Sequence, residues 1–294
     1  MTDQPEFDFD IASALAQGTR SRQEDAVAVS FPFGARDGFA ILSDGMGGHA
    51  AGDLASRAIV SEVFAALTMQ ESARQAAPSD ALRGAVEKAN TGLKACLAAR
   101  PDHEGMGGTV VATYLAGRDL HWVSVGDSVL YLFRDEKLSR LNADHSMAPQ
   151  LDLMAANGAM TKAEAAAHPQ RNCLTSALTG ETLTEIDCPD APLELRADDI
   201  LVLASDGLQY LPDPIIEALL LRARNEPSRI IANDLLEALA TLNDPDQDNT
   251  SLVVIRPMLR KCVTRNSGLF QAPSAMLKAM RRAVTPSISI EPRG

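Results

Sequence analysis

The stretch Phe39-Ala40-Ile41-Leu42-Ser43-Asp44-Gly45-Met46-Gly47-Gly48-His49 organises the chain. An apolar run reaches a carboxylate and then breaks into glycines. Ala50 to Leu67 follows with apolar residues at three- and four-residue spacing: Leu54, Ala58, Ile59, Val63 and Leu67. The pattern predicts a strand ending on Asp44, a tight loop and a helix. A buried strand that ends on Asp holds the carboxylate rigidly at a sheet edge, and glycines let backbone approach whatever the Asp binds. Three readings fit. Gly45-x-Gly47-x-x-Ala50 matches a dinucleotide fingerprint, but Asp44 puts a negative charge where a pyrophosphate would sit. The acid expected about 20 residues on, at the end of a second parallel strand, has its nearest candidate in Glu62, inside the helical run. A hard cation accounts for Asp44 better, taking its carboxylate and the Gly45 carbonyl. The third reading is a plain strand-to-helix turn.

Working outward, 294 residues can bury a full core, as one large domain or two small ones. With 46% hydrophobic and 22% charged residues, the composition is that of a globular protein rather than a disordered one. No run approaches 18 consecutive apolar residues, so no membrane span is expected. The acidic N-terminus lacks the basic segment of a secretory signal. Cys96, Cys173, Cys188 and Cys262 are scattered without a CxxC, which points to reduced thiols and a cytoplasmic location. The net charge of −12 is uneven. Residues 256–294 carry eight Lys or Arg against one Glu, so +7, leaving −19 on the rest. An acidic body argues against nucleic acid as a partner and suits a site built from carboxylates that bind cations.

Upstream, Ile11–Gln17 reads as an edge strand. Arg20-Ser21-Arg22-Gln23-Glu24-Asp25 then leads into the strand-like Ala26-Val27-Ala28-Val29. Glu24 and Asp25 thus open a strand with Arg20 nearby, either as a solvated turn or as an anion-binding arginine beside acidic groups. Ser79–Ala99 reads as a second long helix. From 107 to 141 the period changes to strands, Thr109–Leu115, Leu120–Val125 and Val129–Arg134, with Gly126-Asp127-Ser128 interrupting; this predicts an antiparallel meander, the opposite of a dinucleotide domain. Residues 142–180 are polar and broken, a flap over a site, with His145 and His168 read as structural or surface groups. Ile200–Leu203 then leads to Ser205-Asp206-Gly207, repeating the opening design. Helices are expected over Pro214–Arg224 and Ser228–Leu242, and Asp248 opens a last strand, Ser251–Ile255. The start of one antiparallel strand lies beside the end of its neighbour, so Asp44, Asp206 and Asp248 are expected to converge on one sheet edge.

Three aspartates and a glycine carbonyl form an all-oxygen set, suited to Mg²⁺ or Mn²⁺ rather than zinc. A carboxylate shared by two ions activates a bridging water and clamps a phosphoryl oxygen, while an arginine fork binds the remaining phosphate oxygens. That is phosphomonoester hydrolysis by direct attack of water.

In order along the chain, Arg20…Glu24-Asp25, Ser43-Asp44-Gly45-Met46-Gly47-Gly48, Gly107-Gly108-Thr109, Gly126-Asp127-Ser128, Ser205-Asp206-Gly207 and Asp248-Asn249 resemble the metal-dependent protein phosphatases of type 2C. Met46 and the His168-Pro169-Gln170-Arg171-Asn172 segment resemble the bacterial branch, whose members often counteract serine/threonine kinases. The resemblance implies an α+β fold: a β-sandwich of two antiparallel sheets flanked by pairs of antiparallel helices, in four αββα layers. It implies a phosphatase domain over 9–256 and a cytoplasmic, monomeric enzyme acting on phosphoserine and phosphothreonine proteins. It also implies roles: Asp44 bridging two Mn²⁺ or Mg²⁺ ions, Gly45 ligating through its carbonyl, and Asp206 and Asp248 completing the first ion's shell. Asp127 with Asp206 would form a weaker third site, Arg20 would bind phosphate, and Glu24 and Asp25 would hold metal-bound waters. The alternative on the same fold is a catalytically weak phosphoprotein-binding module. Two positions depart from the family. Eukaryotic members carry a histidine, proposed as general acid, where Met46 stands, and bacterial members often carry an arginine where Val129 stands. The basic tail, 257–294, lies beyond the resemblance; its amphipathic stretch Met276–Val284 reads either as a disordered tail or as a docking segment for a partner, an anionic membrane surface or the protein's own acidic body.

Overall fold

The computed structural model describes residues 7–32, 36–47, 50–99 and 105–259. Gly48 and His49 of the opening stretch lie outside these residues, as does the amphipathic stretch of the tail. Two antiparallel sheets form. The first runs in the order β1 (Phe7–Ala16), β11 (Thr250–Leu259), β10 (Ile200–Ala204), β7 (Val129–Arg134) and β8 (Lys137–Arg140). The second runs β2 (Asp25–Ser30), β3 (Asp37–Met46), β5 (Val110–Ala116), β6 (Asp119–Val125) and β9 (Leu193–Glu194), with the short β4 (Gly107–Gly108) also on β3. Helices α1 (Ala50–Met69) and α3 (Pro78–Ala99) pack on the second sheet, and α6 (Asp213–Arg222) and α7 (Ser228–Leu242) on the first. Three short helices are also described: α2 (Glu71–Ala76), α4 (Ala148–Ala156) and α5 (Lys162–Ala166).

Side-chain alternation explains the layering. In β3, Ala40 and Leu42 pack between the sheets with Leu130, Leu201, Leu203 and Val253, while Phe39 and Ile41 pack against Ile59, Val63 and Leu82 of the helices. In β10, Leu201 and Leu203 face the other sheet, and Val202 and Ala204 meet Ile216, Leu220, Ile231 and Leu235. Strands covered on both faces carry continuous apolar runs instead of a polar alternation, which is why these stretches stand out in the sequence.

Two expectations need correction, and one element was not anticipated. Strand β3 does not break at Gly45: Gly45 and Met46 stay in register opposite Gly108 and Gly107 of β4. The meander is divided: β5 and β6 form a hairpin in the second sheet, β7 and β8 one in the first, and Gly126–Ser128 is the crossing between them. Local periodicity specifies each hairpin but not the sheet it joins. Helix α2, in a stretch with no element assigned from sequence, carries a buried arginine, Arg74.

Candidate metal centre

Four separate segments deliver aspartates to one basin of about 840 Å³. Asp44 lies near the end of β3 and Asp127 at the sheet crossing. Asp206 opens a 3-10 turn, Asp206–Tyr210, just past β10, and Asp248 sits just before β11. Strands β10 and β11 are antiparallel neighbours, with Ala204 opposite Leu252 and the Ser205 N–H donating to the Ser251 carbonyl at 3.0 Å. Neighbouring antiparallel ends therefore bring Asp206 and Asp248 together, as the pattern predicts. Asp44 arrives differently, from the opposite sheet. The acids meet in a cleft between two sheet ends rather than along one edge, because strand pairing does not reveal how sheets stack.

The glycine after each strand-end aspartate has a packing role. A Cβ on Gly45 would stand 2.0 Å from the Gly52 carbonyl of α1, and one on Gly207 would stand 2.0 Å from the Asn249 carbonyl. Each Asp-Gly pair thus lets a second segment pass against the acid's own backbone. The close approach here is between protein segments.

The electrostatics set this cluster apart. Asp25 stands directly opposite Asp44 in the β2–β3 register, and like charges so placed repel. Burial, then Asp25, Asp206, Asp127 and Asp248, push the Asp44 carboxyl well above the ordinary range. Asp127 is pushed to about 7 by burial and by Asp206 and Asp144. Asp206 is raised by burial and Asp248. Asp25 reaches about 6 through burial, although Ser205 Oγ donates to its Oδ2 at 2.8 Å and opposes the rise. One carboxylate oxygen of Asp25 and one of Asp206 are buried with no hydrogen-bond partner. Buried carboxylates that repel each other, with orphaned oxygens, fit hard divalent cations. Among the described residues they ring the basin without closing a cage of three acidic, His or Cys side chains.

Arg20 lies at the rim, its guanidinium on Asp248 Oδ2 and its side chain 57% exposed. Glu24 and Arg22 also line the basin. Met46 lines it too and has no proton to donate. His145 is buried away from any such role, its Nδ1 accepting from the Gly126 N–H at 3.2 Å.

Several supporting groups lie inside the quoted motifs without having been assigned a task. Thr109 Oγ1 accepts from the Asp44 N–H at 3.1 Å and meets Ser128 Oγ at 2.7 Å, tying the Asp44 strand to the Asp127 crossing. Asn249 accepts from the Glu24 N–H at 2.7 Å and donates to the Gln17 and Arg22 carbonyls. The far wall, from Asn172 to Thr184, is rich in hydroxyls, among them Thr175, Thr179, Thr182 and Thr184. Part of it extends beyond the expected flap.

Comparison with known proteins accords with this geometry. The family model described as Protein phosphatase 2C matches residues 13–253. The chain is 35% identical over 235 residues to "Serine/threonine protein phosphatase PstP" of Mycobacterium tuberculosis, covering 80% of this chain but only 42% of that relative's length. It is 31% identical over 229 residues to "Serine/threonine phosphatase stp" of Listeria welshimeri, covering 75% of this chain and 85% of that one. Among solved structures, the PstP catalytic domain in complex with two manganese ions superposes with a TM-score of 0.66 at 30% identity, over 86% of this chain and 99% of that one.

Proposed function

Because the chain belongs to the protein phosphatase 2C family, we propose that it hydrolyses phosphoserine and phosphothreonine in proteins, using two Mn²⁺ or Mg²⁺ ions and at most a third. The observation that carries this reading is the convergence of Asp44 from one sheet with Asp206 and Asp248 from the other, in a basin where acids repel acids. The described part has the span of a PstP catalytic domain.

In this reading Asp44, the Gly45 carbonyl, Asp206 and Asp248 hold the principal cations, and Asp127 with Asp206 holds a weaker one. Such cations supply Lewis acidity, polarising a phosphoryl oxygen and lowering the pKa of water. Arg20 swings from Asp248 to fork two phosphate oxygens, a motion that its exposed side chain permits. Asp25, steadied by Ser205, and Glu24, whose backbone N–H is held by Asn249, orient water beside the cations. No protein nucleophile is needed. Two hydroxyls of the far wall, Ser176 and Thr184, donate to backbone carbonyls at 2.8 Å, not to a base. Met46 has no proton to give, so the leaving serine or threonine takes its proton from bound water or from another residue of the basin. The substrates are those phosphorylated by a serine/threonine kinase of the same cell.

The test is turnover of a phosphothreonine peptide with Mn²⁺, Mg²⁺ or EDTA, for wild type and Asp206→Asn. Turnover that needs metal and collapses in the variant is expected. Mn²⁺ binding by wild type without any turnover would replace this reading with a phosphoprotein-binding module.

A further inference from the structure

The crossing Gly126-Asp127-Ser128 leaves one sheet for the other, so no β-ladder holds Asp127 in place. Thr109 ties one side chain of the crossing, Ser128, but the crossing's backbone carbonyls are held by the segment 140–145. The three consecutive carbonyls of the crossing each accept a hydrogen bond from that segment. Gly126 accepts from the His145 N–H at 3.1 Å, Asp127 from Arg140 Nη2 at 2.9 Å, and Ser128 from Asn142 Nδ2 at 2.9 Å. Asn142 is itself fixed, its Oδ1 accepting from the Leu130 N–H at 2.8 Å.

Arg140 is the long-range member of this brace. It stands on β8 opposite Tyr131 of β7. Its Nη1 donates to Asp144 Oδ2 at 3.0 Å while Nη2 carries the Asp127 carbonyl, and Nε reaches Asn142 Oδ1 at 3.3 Å. The side chains of Arg140 and Asp144 are only 21% and 22% exposed. One planar fork therefore binds the backbone of Asp127 and a neighbouring acid that repels it. The residue directly after the crossing, Val129, is buried in the core under α6 and α7 and holds nothing polar. The guanidinium at this loop comes from the next strand.

We infer that Arg140 is a positioning residue: by holding the Asp127 carbonyl it sets where the Asp127 carboxylate stands in the basin, and so governs the cation held there. This deepens the reading of Asp127 as a ligand and rests on it. A lysine at 140 keeps the charge but not the fork, so it restores the brace only in part.

The test is a Mn²⁺ titration of the full chain, following free Mn²⁺ by electron paramagnetic resonance, for wild type, Asp127→Ala, Arg140→Ala and Arg140→Lys, with thermal midpoints alongside. The expected result is a weak class of Mn²⁺ that Asp127→Ala removes. Arg140→Ala should weaken that class roughly tenfold or more and leave the tight class within about twofold, with Arg140→Lys between. A lowered midpoint with an unchanged Mn²⁺ isotherm would overturn the inference, showing Arg140 to be structural only. If Asp127→Ala leaves the isotherm unchanged, Asp127 is not a ligand and the inference falls with that assignment, a failure visible without the Arg140 variants.

Discussion

Strand β3 carries an aspartate near each end, and the two have opposite surroundings. At its start, Asp37 Oδ2 accepts from Arg74 Nη2 and from the Tyr114 hydroxyl, both at 3.1 Å. Arg74 is buried, lies over the Phe39 and Tyr114 rings at 5.2 and 4.9 Å, and donates to the Leu67 carbonyl. Seven positions on, the largest charged influences on Asp44 are four other aspartates. At one end the protein supplies the counter-charge and the acid serves the fold. At the other it withholds the counter-charge and concentrates acids, an arrangement that destabilises the bare protein and prepares it for cations. For these two aspartates of one strand, whether the chain itself neutralises the acid separates them more sharply than burial does.

The largest effect expected from this contrast is at Asp44. Asp44→Asn should lower phosphopeptide turnover by at least roughly 10²–10³. In EDTA its thermal midpoint should rise, because one of two facing like charges is gone. Added Mn²⁺ should raise the wild-type midpoint by mass action and move the variant's far less. A midpoint in EDTA below wild type would break the contrast. Next in size is Arg74→Met, which leaves Asp37 without its cation. Losing one partner of a buried pair costs about 3–5 kcal/mol, and the partial exposure of Asp37, 23%, argues for the lower end. Urea unfolding should register that loss while the Mn²⁺ isotherm stays unmoved. Weakened Mn²⁺ binding would show that the two ends of β3 are coupled.

The functional end was far more legible in the sequence than the structural one. Asp44 and Asp206 each follow an apolar strand and precede glycine, and that repetition is visible because Gly45 and Gly207 answer the same need, another backbone passing within Cβ distance. Asp248 was legible through the pairing of β10 with β11. The stacking that adds Asp44 was not, since periodicity describes faces and not which sheets meet. Strands and long helices could be read because both faces of the sheets are covered, giving unbroken apolar runs. Asp37 and Arg74 carry no motif: 37 residues separate them, and α2 is too short to show a period. Thr109 and Asn249 lay within quoted motifs, yet their hydrogen bonds appear only when the segments are brought together.

The smallest expected effect sharpens the same contrast through pH, at the structural end. His121 lies opposite Tyr114 in the β5–β6 ladder, with ring centroids 6.4 Å apart, and is 7% exposed. Its Nδ1 is 3.5 Å from Ser79 Oγ, whose hydroxyl donates to the Pro189 carbonyl at 2.8 Å. Burial lowers its pKa below the ordinary 6.5, and Asp119 opposes the shift only in part. The unfolded chain therefore binds this proton more readily than the folded one. The neutral ring's share of stability is complete above about pH 6.5 and is lost as pH falls through the lower, folded value. His121→Gln removes the titration, so its unfolding free energy should fall less than wild type's between pH 7.5 and 5. Taking the difference between the two proteins cancels the aspartates common to both. Parallel curves would mean that the ring is protonated as easily in the fold as out of it, and that burial at this end of the sandwich puts no strain on His121.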